Sequence, residues 1–190
     1  MRAGAERQWL IDPIDGTNTF IRGVPLWGTL IALVVAGRVQ AGAAFFPALD
    51  EMLVAARGAG SWYNGARTRV SGTAEISSAT ALTTDERFRG TSARRDGWQR
   101  LSSRCAVSRS WGDCYGYMLV ATGRAEVMVD PVLADWDAAP FQPIIEESGG
   151  VLTDWTGVPT PFGGNAIATN RALAAESRKL LDCPYTEDPK

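Results

Sequence analysis

The sequence contains no histidine among its 190 residues. Without an imidazole, this chain cannot supply a Ser-His-Asp triad, an imidazole-ligated zinc site or a phosphohistidine intermediate. Any hydrolytic chemistry within the chain would therefore depend on carboxylates, hydroxyl groups and hard metal ions.

Cysteine is scarce as well. The three cysteines, Cys105, Cys114 and Cys183, are odd in number and have no CxxC spacing. This pattern favours core thiols in a reducing compartment over a disulfide framework. We therefore expect a cytoplasmic protein.

Blocks of one charge and long apolar runs are also missing. The formal net charge is −2, which argues against nucleic acid or an anionic membrane surface as a main partner. The longest apolar stretch, residues 26–36, contains Gly28 and Thr29 and is too short to span a bilayer. The polar residues 1–8 do not resemble a signal peptide.

The composition, with 45% apolar residues, is sufficient for one compact domain over residues 1–190. Residues 1–75 predict an antiparallel sheet, because short strand-like runs alternate with glycine turns. Residues 76–183 alternate strands with helices, which predicts an α/β layer, and residues 184–190 form a tail.

The predicted strands are residues 9–11, 27–35, 39–46, 51–57, 60–63, 79–83, 104–108, 125–129, 151–153 and 165–169. The predicted helices are residues 92–103, 113–122, 137–147 and a last helix that Asn170 caps and that ends at residue 181. In helix 137–147, Pro140 fits the first turn, whereas Pro143 is expected to cost one backbone hydrogen bond.

A pair of carboxylates follows the first predicted strand in the run DPIDGT, residues 12–17. Pro13 disfavours helical geometry at Asp12, so the chain is expected to turn and to bring Asp12 and Asp15 into the same space. Such oxygen ligands suit Mg²⁺. If a helical turn begins at Gly16, its backbone N–H groups form an anion site, and the Thr17 hydroxyl can orient a water.

The alternative for two aspartates in a turn is simple capping and Asx-turn chemistry. A second acidic run, DWDAA at residues 135–139, lies at the start of a predicted helix and adds Asp137. Capping and metal ligation by Asp137 are compatible. The pair of runs therefore favours a metal site without excluding the structural alternative.

At these residues the sequence resembles a known family. WLIDPIDGTNTF, residues 9–20, is similar to the first signature of the inositol-monophosphatase-like, lithium-sensitive phosphatases, and WDAA (136–139) with EESGG (146–150) is similar to the second. The likeness extends to about residue 181. It implies an α/β (α+β) fold, the layered αβαβα sandwich of the inositol monophosphatase and fructose bisphosphatase type, and allows a homodimer.

The resemblance also implies a chemistry and a set of site residues. It implies Mg²⁺-dependent hydrolysis of a small phosphomonoester with two or three ions, inhibited by Li⁺. Asp12 and Thr17 would be catalytic, and Gly16 and Thr17 would hold the phosphate. The implied metal ligands are Asp12, which would bridge two ions, Ile14 through its carbonyl, Asp15 and Asp137.

Two stretches are more similar to histidinol-phosphate phosphatases than to inositol phosphatases: residues 20–33 and the run WGDCYGY at residues 111–117. In this comparison, Asp113 and Asp130 fall where the family contacts the leaving alcohol. Histidinol carries an ammonium and an imidazole, which suit acidic partners, and Trp111 and Tyr115 offer a face for the ring. We expect histidinol phosphate, an intermediate of histidine biosynthesis, as the substrate. Inositol phosphates, fructose bisphosphate and sulfonucleotides remain alternatives.

The family pattern further includes an upstream Gly-Glu-Glu stretch and opening helices, whereas only residues 1–8 precede Trp9 here. We therefore expect a chain truncated at its N-terminus, which binds the first metal weakly and exposes apolar area on its sheet. A non-catalytic remnant that binds metal or phosphate weakly is the alternative from a different class.

Two other phosphatase mechanisms fit the sequence poorly. A haloacid-dehalogenase-type enzyme needs a DxD pattern, whereas two residues separate Asp12 from Asp15. A cysteine phosphatase needs an arginine six residues after its thiol, whereas Arg109 follows Cys105 by four.

Overall fold

The computed structural model describes residues 6–88 and 91–186. The first five residues and the part of the predicted tail beyond residue 186 lie outside this range. No helix of the described residues is long and apolar enough to cross a bilayer.

The described residues form two sheets. The first is a six-stranded antiparallel meander in which every strand pairs with its neighbour in sequence. Its strands are β1 (Arg7–Asp15), β2 (Gly28–Val35), β3 (Arg38–Phe46), β4 (Glu51–Ala56), β5 (Gly60–Tyr63) and β6 (Ala66–Arg67). Along β2, buried and half-buried residues alternate, because successive side chains of a strand point to opposite faces.

The second sheet is mixed. Its strands are β7 (Thr80–Leu82), β8 (Val107–Arg109), β9 (Val127–Asp130), β10 (Val151–Thr153) and β11 (Ala166–Thr169). They lie in the order β10-β11-β9-β7-β8. Strand β7 is parallel to β8 and β9, whereas β11 is antiparallel to β9 and β10. The carboxyl ends of β7 and β9 therefore reach the same edge of the sheet.

Helices fill two layers. They are α1 (Thr17–Phe20), α2 (Ser92–Ser102), α3 (Asp113–Ala121), α4 (Asp135–Ala138), α5 (Phe141–Glu147) and α6 (Ala174–Leu180), with a 3₁₀ turn at Ile76–Ser78. Tyr117 of α3 and Phe141 of α5 share one buried cluster with Phe46 of the first sheet and Met128 of the second. Helices α3 and α5 therefore lie between the sheets.

The far face of the second sheet has its own core. Trp98 and Leu101 of α2 join a separate buried cluster with Val127 and Ile167 of this sheet, and α2 contacts α6. The layers are thus sheet, helices, sheet, helices. This arrangement confirms the predicted α+β sandwich.

The outer face of the first sheet carries exposed apolar side chains. Trp9 and Ile11 of β1 are 64% and 56% exposed, and Trp62 of β5 is 38% exposed. With Ile31, Leu33 and Val54, the two tryptophans line a shallow apolar groove. The expected apolar exposure on this sheet is confirmed.

Some predicted boundaries are wrong. Strand β1 continues to Asp15 instead of ending at residue 11, because its pairing with β2 passes through Asp12 and resumes after an irregularity. The predicted strand 104–108 is displaced to Val107–Arg109. The Asn170 side chain accepts a hydrogen bond from the Leu173 N–H at 2.9 Å, so a turn precedes α6.

The single helix predicted over residues 137–147 is also wrong. It is interrupted, and Pro140 occupies the N-cap position of α5. Pro143 is the third residue of α5, in the first turn, where backbone N–H groups have no intrahelical partner. The expected loss of a backbone hydrogen bond at Pro143 therefore does not occur.

Candidate active site

The DPID run forms a turn inside β1, where the pairing with β2 is irregular between Asp12 and Asp15. The Asp12 Oδ1 atom accepts a hydrogen bond from the Ile14 N–H at 2.9 Å, and the Thr17 hydroxyl donates to the Ile14 carbonyl at 3.1 Å. The Asx-turn expected as an alternative is therefore present. This turn engages one carboxylate oxygen of Asp12, Oδ1.

Gly16 links this turn to the short helix α1. Its backbone has φ 78° and ψ 38°, the left-handed region that favours glycine. An added Cβ would lie 2.9 Å from Thr19 Oγ1 and 3.1 Å from the Leu26 carbonyl oxygen, so there is also no room for a side chain. The predicted helical turn at Gly16 is confirmed, and the first-turn N–H groups of α1 begin directly beside the carboxylates.

Three carboxylates from distant parts of the sequence meet here. Asp12 and Asp15 come from β1, and Asp137 comes from α4, which contacts β1. One oxygen of each lies within 4.8 Å of the others. The Asp137 Oδ2 atom also accepts a hydrogen bond from the Ala134 N–H at 3.1 Å, so Asp137 caps its helix and faces the cluster at the same time.

The charges of this cluster are poorly compensated by the protein. Burial raises the pKa of Asp15, and only hydrogen bonds such as that from the Cys114 N–H, at 2.7 Å, oppose the shift. Burial and then the charge of Asp15 raise the pKa of Asp137 to about 7. Among the described residues, no ion pair includes these converging carboxylates, which fit a hard divalent cation such as Mg²⁺.

Asp113 and Asp130 lie next to this cluster but differ in exposure. Asp113, half-buried at the first position of α3, places its Oδ2 atom 3.4 Å from the position of a Cβ on Gly16. Asp130 is 1% exposed. Its Oδ1 atom accepts from the Thr84 N–H and its Oδ2 atom from the Tyr117 hydroxyl, each at 3.0 Å.

Burial raises the pKa of both carboxyl groups. For Asp113, burial and the charges of Asp15 and Asp130 give a value of about 7. For Asp130, burial outweighs the hydrogen bonds from Thr84 and Tyr117 and gives about 6. With Asp15 and Asp137, this region therefore contains four carboxyl groups in total whose pKa values are raised, a pattern that functional sites often show.

The structure places the two aromatic residues that were expected to face the substrate ring in different surroundings. Trp111 is 46% exposed beside Asp113. Tyr115 instead packs its ring edge-on against Phe46, with centroids 5.2 Å apart, in the core between the sheets. Tyr115 follows Asp113 by two residues on a helix, so the two side chains point to different sides. Trp136, next to Asp137 and 46% exposed, was not singled out from the sequence.

The second half of the second signature serves the fold. Glu146 pairs with Arg57 at 2.8 Å. Glu147 accepts hydrogen bonds from the N–H groups of Gly58 and Gly60, at 2.8 and 2.9 Å. Both glutamates attach the end of α5 to the turn between β4 and β5, away from the carboxylate cluster.

Two residues of the site were missed in the sequence. Thr84, two residues past β7, donates its N–H to Asp130 and accepts the Asp113 N–H on its hydroxyl. Tyr117 holds Asp130 from α3. Tyr117 lies four residues after Asp113 on one helix face, which is a detectable signal. A threonine after a strand gives no comparable signal.

Comparison with known proteins agrees with the geometry. The model of the inositol monophosphatase family matches residues 2–186. The histidinol-phosphatase of Chlorobaculum parvum is 44% identical over 172 residues, covering 90% of this chain and 66% of that protein. The histidinol-phosphatase of Mycobacterium tuberculosis is 39% identical, covering 90% of this chain and 67% of that protein.

Among solved structures, an inositol monophosphatase from Zymomonas mobilis superimposes with a TM-score of 0.90 at 30% identity, covering 95% of this chain and 72% of that one. The chain spans about two thirds of the length of the curated relatives it matches. It belongs to the inositol monophosphatase family, whose members named here are phosphoric monoester hydrolases.

Proposed function

We propose that this chain carries the catalytic centre of a Mg²⁺-dependent phosphatase that hydrolyses a small phosphomonoester, with histidinol phosphate as the substrate. The observation that carries the proposal is the convergence of Asp12, Asp15 and Asp137 within 4.8 Å, beside the helical turn that begins at Gly16. The family assignment and the names of the two histidinol-phosphatases support the reaction class and the substrate.

Each group of the centre has a task that its position allows. Asp12, Asp15, Asp137 and the Ile14 carbonyl would hold Mg²⁺, which when bound supplies Lewis-acid polarisation of the phosphate and a more acidic attacking water. The N–H groups at Gly16 and Thr17 would bind the phosphate oxygens. The Thr17 hydroxyl donates to the Ile14 carbonyl at 3.1 Å, and its oxygen would orient the attacking water by accepting a hydrogen bond from it.

The leaving alcohol is assigned to the side of the site that carries Asp113. The Asp113 carboxylate is half-buried beside Gly16, so it can meet a group attached to a phosphate held there. A cationic alcohol such as histidinol would stabilise the charged form of this carboxylate, whose pKa is raised to about 7 when no cation is near. Asp130 lies behind Asp113 and supports it through Thr84.

Inositol phosphate is the second candidate. A relative from Thermotoga maritima named fructose-1,6-bisphosphatase/inositol-1-monophosphatase is 33% identical over 179 residues. Neutral hydroxyl groups can also donate to Asp113. Charge is therefore the property that separates the two candidates.

Release of inorganic phosphate from histidinol phosphate, inositol 1-phosphate and 4-nitrophenyl phosphate tests the proposal, in Mg²⁺ and in EDTA. We expect release only with Mg²⁺, inhibition by Li⁺, and at least about tenfold higher kcat/KM for histidinol phosphate, the size of one charge-assisted contact. An equal or higher kcat/KM for inositol 1-phosphate would refute histidinol phosphate as the substrate. Phosphate release that does not need Mg²⁺, or no release from any of the three esters, would refute the assignment as a Mg²⁺-dependent phosphatase.

A further inference from the structure

Thr84 connects two carboxylates that the sequence places 17 residues apart, Asp113 and Asp130. Its backbone N–H donates to Asp130 Oδ1 at 3.0 Å, and its hydroxyl oxygen accepts the Asp113 N–H at 2.8 Å. Thr84 itself is exposed at the mouth of the site. One residue thus contacts both acidic groups next to the phosphate cradle.

The sheet explains how Thr84 reaches Asp130. Strands β7 and β9 are parallel, with Leu82 opposite Met128. Thr84 and Asp130 each follow that pair by two residues, so both lie at the same sheet edge. The Tyr117 hydroxyl fixes the other oxygen of Asp130 at 3.0 Å. Asp130 is therefore a rigid, buried anchor for the Thr84 backbone.

The Asp113 end of this connection is under conformational strain. Asp113 has φ 50°, in the left-handed region that a residue with a side chain adopts rarely. The preceding Gly112 packs so closely on Thr84 that an added Cβ would lie 2.3 Å from the Thr84 Cα and 2.6 Å from its Oγ1. The turn at Gly112 and Asp113 is thus shaped against Thr84.

A second contact holds the next residue from the opposite side. The Cys114 N–H donates to Asp15 Oδ2 at 2.7 Å. The start of α3 is therefore fixed between the first signature, through Asp15, and the end of β7, through Thr84. Of these two contacts, the one with Thr84 acts directly on Asp113, whose carboxylate approaches Gly16.

We propose that Thr84 is a positioning residue for specificity. Its hydroxyl fixes the backbone of Asp113, so that the Asp113 carboxylate contacts the leaving alcohol of the phosphate ester and discriminates between alcohols. The inference rests on the proposed function for its substrate. It adds that discrimination between alcohols depends on a side chain that belongs to neither family signature.

Thr84→Val is the sharpest variant, because it keeps the branched shape and the backbone N–H to Asp130 and removes only the hydroxyl. We expect KM for the ester that the wild type prefers to rise about tenfold, the effect of leaving one N–H donor unpaired, with kcat within threefold. KM for 4-nitrophenyl phosphate, which offers no cation to Asp113, should change less than twofold. Thr84→Ser, which retains the hydroxyl, should restore the wild-type KM within threefold.

A readout that needs neither metal nor turnover accompanies the kinetics. In the metal-free protein, Thr84→Val should accelerate hydrogen exchange of the Asp113 amide at least about tenfold, because that N–H loses its acceptor. The Cys114 amide, which donates its hydrogen bond to Asp15, should exchange at an unchanged rate and serves as the internal control.

The two proposals fail in different ways. A wild type that prefers inositol 1-phosphate, or releases no phosphate, contradicts the proposed function, and the exchange rates still test Thr84. The positioning role is refuted if Thr84→Val leaves Asp113 exchange unchanged. It is also refuted if the variant raises KM for all esters equally, or if Thr84→Ser behaves like Thr84→Val.

Discussion

Two regions of this molecule bury charged side chains, and they differ in how many hydrogen-bond partners surround the charge. Arg178 of α6 is fully buried, and none of the ion pairs among the described residues includes it. Its guanidinium donates to the hydroxyls of Thr153 and Thr169 and to the carbonyls of Ile167 and Ala174, at 2.9 to 3.2 Å. The Tyr185 ring lies 4.8 Å away.

The acidic cluster has the opposite arrangement. Asp12, Asp15 and Asp137 face one another, and few N–H donors reach them. Burial lowers the pKa of Arg178 to about 10, so its cation persists at neutral pH. Burial and mutual repulsion instead raise the pKa of Asp137 to about 7. The buried cation of Arg178 is surrounded by hydrogen-bond acceptors, whereas the acidic cluster has few hydrogen-bond donors, which is the arrangement expected if the proposed Mg²⁺ neutralises it.

The largest effect that tests this contrast is expected for Asp137→Asn. The variant removes one proposed metal ligand and its charge, so kcat/KM for phosphate release should fall by at least about 10³-fold, or about 4 kcal/mol of transition-state stabilisation. The melting temperature without metal should stay equal or rise, because repulsion with Asp15 is relieved. Phosphate release assays and thermal unfolding in EDTA measure the two quantities.

Asp135→Asn is the matched control, since it changes the neighbouring carboxylate of α4 that lies outside the cluster. Its kcat/KM should remain within threefold of the wild type. If the melting temperature of Asp137→Asn falls in parallel with its activity, then Asp137 serves mainly as a helix cap. In that case Asp137, like Arg178, would be a charged group that serves the fold.

Arg178→Met is the converse test, with an expected loss of about 3 kcal/mol or more in the free energy of unfolding. The substitution keeps an apolar stem but leaves buried hydroxyl and carbonyl acceptors without donors, each costing about 1–3 kcal/mol. Activity per folded molecule should not change, because α6 lies on the far side of the second sheet. Denaturant titration gives the stability, and initial rates at low temperature give the activity.

The exposed Arg171→Met provides the comparison, and its free energy of unfolding should change by less than about 0.5 kcal/mol. If Arg178→Met proves as stable as the wild type, then hydrogen bonds to neutral acceptors do not explain the burial of this cation.

The same contrast shows what a sequence can reveal. The DPIDGT run could be placed because the strand, Pro13 and Gly16 act locally, and the structure has the turn in the last part of β1, directly before α1. Asp137 was found because it lies in a second acidic run, which the family signature also contains. Its distance to Asp12 depends on how α4 packs on β1, which no local pattern encodes.

Other features could not be predicted, because they arise from tertiary contacts. Arg178 reads as an ordinary charged residue of an amphipathic helix, and only the packing of α6 against β10 and β11 shows that it is buried. The sequence likewise gives no sign that Thr84 contacts Asp113 and Asp130. The break between α4 and α5 was missed because Pro140 is compatible with a first turn, and whether the helix restarts there is decided by the sheet below.

The smallest expected effect concerns Asp130, which lies between the two extremes: fully buried, like Arg178, but acidic. Its pKa of about 6 exceeds the ordinary value of 3.8. The stability it contributes is therefore present below that ordinary value and is lost as pH rises through about 6. In EDTA, the free energy of unfolding of the wild type should thus fall between pH 4 and pH 7, and Asp113, with a pKa of about 7, adds to the same trend.

Asp130→Asn removes one titrating group while keeping an acceptor for the Thr84 N–H. The loss of stability between pH 4 and pH 7 should shrink by on the order of 2 kcal/mol, measured by denaturant titration at both pH values. Asp96→Asn, on the exposed side of α2, should leave the slope unchanged. An unaltered slope in Asp130→Asn would mean that the Thr84 and Tyr117 donors fully compensate this charge. Asp130 would then belong with Arg178 among the charges that the fold itself neutralises, and the uncompensated acidity of the site would be confined to Asp113 and the three proposed metal ligands.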